Sequence, residues 1–412
     1  MERITSIIGA GAVLDFDFQQ DEIKPTTENI TQEMCKIEVP GVDGAMKKLV
    51  KNVYVRLKEA HYETPNPKIC PEAVRIINPI NFETLFHVVE NMMSYSSIWK
   101  DEWISPFIFP PVAAFVECKE QFAKYETEEY HRALVRMENR ICEIVGTYDT
   151  KFADEGYAVW YKNFWNRFKD ELDVFTLNYD TTIEQSLGEY EDGFEEWKFS
   201  AQRFDPGKLL NNKERTTVNH LHGCIAYLNQ WHDAEKSGYS FYDMFKFATY
   251  KQRSEKNAGY SGLDYNQAHE AYIQRSILVG MRKPDKIVMN PMNFYHANLV
   301  NKICENRALL IAGYSFGDTY VNEYLYKMQL IHGDKRRIVL IDKWMISRQC
   351  RSAMRNYINA ETGNDKEYWN ELNSGDYYAP HVSMKGTLMV FICGFKSAVE
   401  HHEDKIREFL MS

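Results

Sequence analysis

Short apolar runs recur along the chain and stop at glycine or polar residues. Runs with the length of a strand cover residues 4–8, 174–177, 218–222, 308–312, 338–341 and 387–392. Helical three- and four-residue spacing of apolar groups covers residues 82–96, 111–145, 157–172 and 320–330. Strands separated by helices predict a parallel sheet covered on both faces. A ligand is then expected beyond the carboxyl ends of the strands.

The chain between the first two of these runs does not follow the pattern. Six prolines interrupt residues 21–80, which predicts no long regular element there: Pro25, Pro40, Pro65, Pro67, Pro71 and Pro79. We therefore expect an α/β, Rossmann-like body formed by residues 1–20 and 151–412, with a mainly helical insertion at 21–150.

The insertion is longer than the usual connection within a sheet, which favours a functional role. Large aromatic residues in it can anchor an interface when they are not core, and here they are Trp99, Trp103, Phe107 and Phe109. A homo-oligomer is the resulting expectation. The alternative is that these residues cover one face of the sheet.

Composition narrows the class of protein. The 44% hydrophobic and 26% charged content is that of a globular chain, and the net charge of −10 gives no general attraction to nucleic acid. No apolar run reaches the roughly 20 residues of a membrane span. The first residues lack a signal peptide, so we expect a cytoplasmic protein. The eight cysteines include no C-x-x-C pair, which disfavours a zinc ribbon.

Gly9-Ala10-Gly11 closes the first strand and could let the backbone approach a pyrophosphate. In a dehydrogenase fingerprint a small residue would stand at Leu14, so hydride transfer is disfavoured. A glycine turn without a ligand stays open as an alternative.

Asn178 and His222 each follow or end a predicted strand, so both side chains can face one crevice. Histidine can take a proton near neutral pH, and an amide can hold water without competing for that proton. Taken singly, each has a structural alternative: Asn178 as a turn cap, and His222 as a satisfied core residue.

The segment Gly313-Tyr314-Ser315-Phe316-Gly317-Asp318 has two interpretations. It could be the nucleophile elbow of an α/β-hydrolase, with Ser315 as nucleophile and Asp342 as its acid. The base would then be one of three C-terminal histidines, His381, His401 or His402. It could instead contact phosphate and ribose, with Gly313 permitting close approach, Ser315 donating a hydrogen bond and Asp318 capping the next helix.

In this order, the motifs resemble those of the sirtuin-like family. They are Ile8-Gly9-Ala10-Gly11, Thr176-Leu177-Asn178-Tyr179-Asp180, Leu221-His222-Gly223 and the segment from Gly313 to Asp318. The resemblance covers residues 1–20 and 170–345. It implies a Rossmann-like sheet that binds NAD across the strand ends, with no metal in that site.

The resemblance also implies roles for individual residues. At the reaction end these are Asn178 and Asp180 beside the nicotinamide ribose and His222 as catalytic base. At the nucleotide end they are Gly9, Ala10 and Gly11 at the pyrophosphate, Gly313 and Ser315 at phosphate or ribose, Asp342 at the adenosine ribose and Gly394 at the adenine.

Departures from the lysine deacylases decide the expected activity. The residues after Gly11, 12–16, lack the serine and downstream arginine of the deacylase loop, and the four zinc cysteines are missing. The chain is instead similar to the bacterial anti-phage branch, which hydrolyses NAD to nicotinamide and ADP-ribose, and to members that work with a HerA-type ATPase. A module that binds NAD or ADP-ribose without catalysis is the non-enzymatic alternative.

Overall fold

The strands and helices were assigned in a computed structural model. It describes residues 3–63, 80–98, 127–196, 201–212, 215–233, 240–255, 263–265, 271–273, 276–280, 283–343 and 352–412. The strands in these ranges are β1 (Ile4–Ile8), β2 (Leu172–Thr176), β3 (Phe194–Glu196), β4 (Gln202–Phe204), β5 (Thr217–His220), β6 (Tyr227–Asp233), β7 (Ser240–Lys246), β8 (Leu263–Tyr265), β9 (Ala271–Ile273), β10 (Ala308–Ala312), β11 (Arg337–Ile341), β12 (His381–Val382) and β13 (Leu388–Phe391).

The α-helices in the same ranges are α1 (Thr27–Met34), α2 (Gly44–Lys47), α3 (Leu49–Glu63), α4 (Phe82–Ile98), α5 (Thr127–Lys151), α6 (Val159–Arg167), α7 (Thr182–Leu187), α8 (Pro206–Asn211), α9 (Tyr250–Glu255), α10 (Lys283–Ile287), α11 (Met292–Glu305), α12 (Thr319–His332), α13 (Ser352–Thr362), α14 (Lys366–Ser374) and α15 (Phe395–Met411).

A seven-stranded sheet forms the centre of the molecule, in the order β12-β13-β11-β10-β1-β2-β5. All neighbouring strands are parallel except the edge pair β12 and β13. All residues of β1, β2 and β10 are buried, as expected for strands covered on both faces. Helix α15 packs against β10 and β11, and α11 packs against β2 and β5. The predicted α/β, Rossmann-like fold is therefore confirmed.

The strand order reverses direction between β1 and β10. From β1 the chain builds outward through β2 to β5, and then returns to place β10 on the other side of β1. In doubly wound sheets this switch point opens a crevice between the loops that follow the two strands. The glycine turn and the segment after β10 both lie there.

Two antiparallel elements interrupt the Rossmann-like body between β2 and β10. They are a four-stranded sheet in the order β3-β4-β7-β6 and the pair β8 and β9. The apolar pattern did not predict them, because β3, β4, β8 and β9 have three residues each, and the longer β6 and β7 mix polar with apolar residues instead of forming an apolar run.

Several predicted bounds were wrong in the N-terminal half. Helix α3 has 15 residues and lies between Pro40 and Pro65, so the prolines exclude a helix only from their own positions. The helix predicted at 157–172 is the shorter α6, because Leu172 already begins β2. Of the helix predicted at 111–145, α5 covers the part from Thr127.

Residues of α3, α4 and α5 belong to the same continuous core as the central sheet, for example Val53, Phe86 and Leu134 with Phe175 of β2. The segment predicted as an insertion therefore packs directly on the Rossmann-like body. The aromatic residues proposed for an interface, Trp99 to Phe109, lie outside the described residues. None of the described helices is both long and apolar enough to cross a membrane.

Candidate functional site

Three glycines meet where the loops after β1 and β10 cross. A Cβ on Gly9 would lie 2.4 Å from the Gly313 carbonyl oxygen, and one on Gly11 would lie 2.7 Å from the Gly313 Cα. Gly313 itself has a φ of +62°, and the Gly11 amide donates to its carbonyl at 3.0 Å. The glycines are thus needed for backbone packing at the switch point, a reason that the motif alone does not reveal.

A pocket of about 390 Å³ opens beside this crossing, at the ends of β1, β10, β11 and β13. Among its lining residues are four that the sequence assigned to the nucleotide: Gly11, Gly313, Asp342 and Gly394. Gly9 is buried beneath it, Ala10 is exposed, and Ser315 is half-buried and not among the lining residues. Acidic and basic side chains line the pocket together, namely Asp15, Asp342, Lys24 and Lys343.

Asn178 lies on the other side of the crossing, two residues after β2. Its Nδ2 donates to the Gly9 carbonyl at 3.3 Å, which joins the β2 loop to the glycine turn. The backbone carbonyl of Asn178 lies 3.2 Å from Nδ1 of His220. Its side-chain Oδ1 receives no hydrogen bond from the described part of the chain. The amide is therefore held from one end and presents an acceptor at the other.

Asp180 is buried and its carboxylate is used within the fold. It accepts from the Tyr148 hydroxyl at 2.8 Å and from both the amide and the hydroxyl of Thr182. The next residue, Thr181, donates its amide to Asp149 at 2.6 Å. Tyr148 and Asp149 both belong to α5, so this helix fixes the loop that carries Asn178. Asp180 accordingly holds the loop instead of facing open space.

Asp149 makes the stability of this loop depend on pH. Burial, helped by the nearby Asp180 charge, raises the pKa of Asp149 from the usual 3.8 to about 7. Between these two pKa values the folded chain keeps a proton on Asp149 that the unfolded chain has released. The contribution of Asp149 to the free energy of unfolding should therefore fall as the pH rises from about 4 to about 7 and stay constant above pH 7. In Asp149→Asn this loss is absent, and the melting temperature of the variant relative to the native chain should rise across that range.

The matched control for this comparison is Asp154→Asn, at an exposed position just after the same helix. It should follow the native melting curve at every pH. Parallel pH dependence in Asp149→Asn and the native chain would show that Asp149 ionises normally.

His222 lies in the turn after β5 and is buried, with 3% of its surface exposed. Its Nε2 is 2.6 Å from the Tyr320 hydroxyl and 3.5 Å from Oδ1 of Asp318. Burial, together with the Lys283 charge, lowers the pKa of His222 to about 3. The ring is therefore neutral at pH 7, which is the form that can accept a proton.

Asp318 occupies the N-cap position of α12, but its side chain does not cap the helix. The predicted cap was wrong because the carboxylate instead bonds Nζ of Lys283 at 3.2 Å. Lys283 also bonds Glu83 of α4 at 2.8 Å. Although burial opposes it, the neighbouring His222 ring and the Lys283 ammonium hold the pKa of Asp318 below its usual range. A line of charged groups thus runs from α4 to His222.

A second buried polar cluster lies behind the β5 turn. Glu184, His220 and Cys224 present ligand atoms within 4.8 Å of one another, a spacing that could hold a metal ion. The same Glu184 oxygen, however, already bonds His220 at 2.8 Å and Lys246 at 3.1 Å, and Lys246 also bonds Asp192 at 2.6 Å. Because the Lys246 ammonium already pairs with the carboxylates of Glu184 and Asp192, the cluster fits a buried ion-pair network better than a metal centre.

The nucleophile-elbow interpretation finds no support in the described residues. No histidine there hydrogen-bonds Ser315. Two of the histidines proposed as its base are bonded elsewhere: His401 to the Ser397 carbonyl and His402 to the Tyr378 carbonyl. The third, His381, lies on β12 at the edge of the sheet, and its Nδ1 is 3.9 Å from Oε1 of Glu371.

Sequence reasoning missed three side chains around His222. Tyr320 contacts His222 directly, and His296 packs edge-on against the Tyr320 ring with centroids 5.1 Å apart. Lys283 comes from the short helix α10. Only Tyr320, which stands two residues after the Gly313–Asp318 motif, could have been suspected, since the other two are brought in by tertiary folding.

Comparison with known proteins agrees with the placement of these motifs. Residues 173–363 match the family model described as a SIR2-like domain. No curated protein matches the chain significantly. The matched segment begins in β2 and contains Asn178, His222 and Gly313. This segment of the chain is therefore similar to SIR2-like domains.

Proposed function

We propose that the chain hydrolyses NAD to nicotinamide and ADP-ribose. The supporting observation is the position of two groups of residues on opposite sides of the β1–β10 switch point. The nucleotide pocket lies over β10, β11 and β13, whereas Asn178 and His222 follow β2 and β5. A dinucleotide laid across a doubly wound sheet reaches both sides.

The pocket suits the adenosine diphosphate half of the substrate. Asp342 follows β11, where a carboxylate can accept from a ribose hydroxyl. Gly11 and Gly313 let a diphosphate approach the backbone, and Lys24 and Lys343 supply positive charge nearby. Gly394 would border the adenine.

The β2 and β5 loops suit the bond that breaks. Positive charge develops on the ribose as nicotinamide leaves, and the site must hold water on one face of the sugar. The Oδ1 of Asn178, which accepts no hydrogen bond from the described residues, can orient that water or a ribose hydroxyl, while neutral His222 accepts the proton. Asp180 keeps the Asn178 loop in place through Tyr148 and Thr182.

The proposal extends to the biological setting of the chain. Anti-phage defence by NAD depletion, a HerA-type ATPase partner and a homo-oligomer are supported by the resemblance of the motifs and by the aromatic-rich segment of the sequence. The close packing of α4 and α5 on the site agrees with control by assembly, because whatever binds these helices would act on the Asn178 and His222 loops.

The test is to incubate the purified chain with NAD and to measure nicotinamide and ADP-ribose by chromatography. Equal amounts of both products are expected. Tight NAD binding without nicotinamide release would favour the non-enzymatic module instead. Absence of both binding and cleavage, alone and with a HerA-type ATPase from the same source, would overturn the proposal.

A further inference from the structure

The Tyr320 hydroxyl and Nε2 of His222 share a short hydrogen bond whose direction is linked to the tautomer of the ring. A tyrosine hydroxyl has one hydrogen to donate, and in the described residues Nε2 of His222 is the one acceptor to which it bonds, at 2.6 Å. If Nε2 carried the hydrogen instead, the Tyr320 hydroxyl would be left with no acceptor there. The arrangement in which Tyr320 donates and Nε2 accepts gives the hydroxyl this acceptor, and it requires the imidazole hydrogen to lie on Nδ1.

Asp318 favours the opposite arrangement. Its Oδ1 lies 3.5 Å from the same Nε2, and a carboxylate can only accept. Without Tyr320, the stable neutral form of His222 would carry a hydrogen on Nε2 directed at Asp318, and that nitrogen could no longer act as a base. Tyr320 and Asp318 thus compete for one nitrogen, and the shorter contact belongs to Tyr320.

The same contact restricts how a proton reaches His222. The lone pair of Nε2 is already occupied by the Tyr320 hydroxyl, so a substrate water cannot bond to it directly. Burial raises the pKa of Tyr320, so the hydroxyl keeps its hydrogen until another arrives. The tyrosine oxygen retains acceptor capacity for one further donor.

We propose that Tyr320 is a catalytic residue that relays the proton from the attacking water to His222. This inference rests on the proposed cleavage of NAD. As the C–N bond breaks and its electron pair leaves with nicotinamide, the water oxygen bonds to C1 of the ribose, the water O–H bond breaks and a new O–H bond forms on Tyr320. In the same step the original tyrosine O–H bond breaks and its hydrogen joins Nε2. Tyrosine ends neutral, and the imidazolium that forms lies beside Asp318, whose charge stabilises it.

Tyr320→Phe tests the relay, because it removes one oxygen and leaves the ring packed on His296. We expect kcat/KM for nicotinamide release to fall at least about 100-fold, the lower range for loss of a proton-transfer group. Tyr324→Phe, four residues further along α12, is the matched control and should keep the native rate. Unchanged kcat/KM in Tyr320→Phe, in a chain that cleaves NAD, would overturn the relay and leave the proposed function intact.

The tautomer of His222 gives a second readout that a purely structural tyrosine would not change. Nitrogen NMR of histidine-labelled protein, with the His222 signals assigned from a His222→Gln sample, should show hydrogen on Nδ1 in the native chain. In Tyr320→Phe it should move to Nε2. A native chain with hydrogen on Nε2 would contradict the proposal, whereas failure of the native chain to cleave NAD would remove the proposed function and the relay with it.

Discussion

His222→Gln should release nicotinamide from NAD about 100- to 10,000-fold more slowly than the native chain, the range for loss of a general base. Glutamine keeps a polar group that can bond the Tyr320 hydroxyl, so the buried contact at 2.6 Å can be retained in part. It has no group that can take up a proton. The fold should therefore survive while turnover is lost. Initial rates at saturating NAD, measured beside melting curves, separate the two effects.

His332→Gln is the matched control for this substitution. The His332 ring also bonds through Nε2, in this case to the Ile303 carbonyl at 2.9 Å, but it lies at the far end of α12 from Tyr320. Its variant should cleave NAD at the native rate. If His222→Gln retained native turnover, another group would have to act as base, and the assignment of His222 would be wrong.

Gly313→Ala should be the most destabilising single-methyl change at the switch point. A left-handed φ costs an alanine about 1–2 kcal/mol, and its Cβ would lie 2.1 Å from the Ala12 amide nitrogen. The Cβ would clash with backbone atoms of the loop after β1, so the two crossing loops would have to move apart. Overpacking of this kind adds a destabilisation of roughly 1–3 kcal/mol or more. We expect a melting temperature lower by roughly 5 °C or more.

Gly333→Ala separates backbone strain from the steric clash. Gly333 also has a positive φ, +52°, but nothing lies within 4 Å of the Cβ position. The Gly333→Ala variant should therefore be destabilised only by the backbone strain, about 1–2 kcal/mol. Equal destabilisation of the two variants would mean that the loops at the crossing can move apart easily, contrary to the tight packing described above.

The body of the fold could be predicted from apolar patterning because its strands are continuously buried. The runs 4–8 and 308–312 coincide with β1 and β10, and both end where the sequence turns to glycine. The antiparallel sheet formed by β3, β4, β6 and β7 could not be predicted in this way. Its longest strands, β6 and β7, mix polar and apolar residues, and the pairing of β4 with β7 joins segments distant in the chain, about which the local pattern carries no information.

The candidate site likewise contains residues that the sequence could indicate and residues that it could not. Asn178 and His222 could be suspected because polar residues at the ends of buried strands are conspicuous. Glu83 and Lys283 could not be, because each looks like an ordinary charged residue on a helix surface until tertiary packing pairs Lys283 with both Glu83 and Asp318. The role of the glycines was likewise hidden, since a motif does not show which backbone lies opposite.

The central place of β1 in the sheet has a consequence for how the chain can be divided. The SIR2-like match spans residues 173–363, but β1 lies between β2 and β10, and β13 lies beyond β11. An excised 173–363 fragment would thus lack β1, the middle strand of its own sheet. The backbone groups of β2 and β10 that pair with β1 would then have no partner strand. The boundaries of sequence similarity are not those of a cooperative folding unit, and a truncation library would have to retain the first strand, or supply it in trans as a complementing peptide.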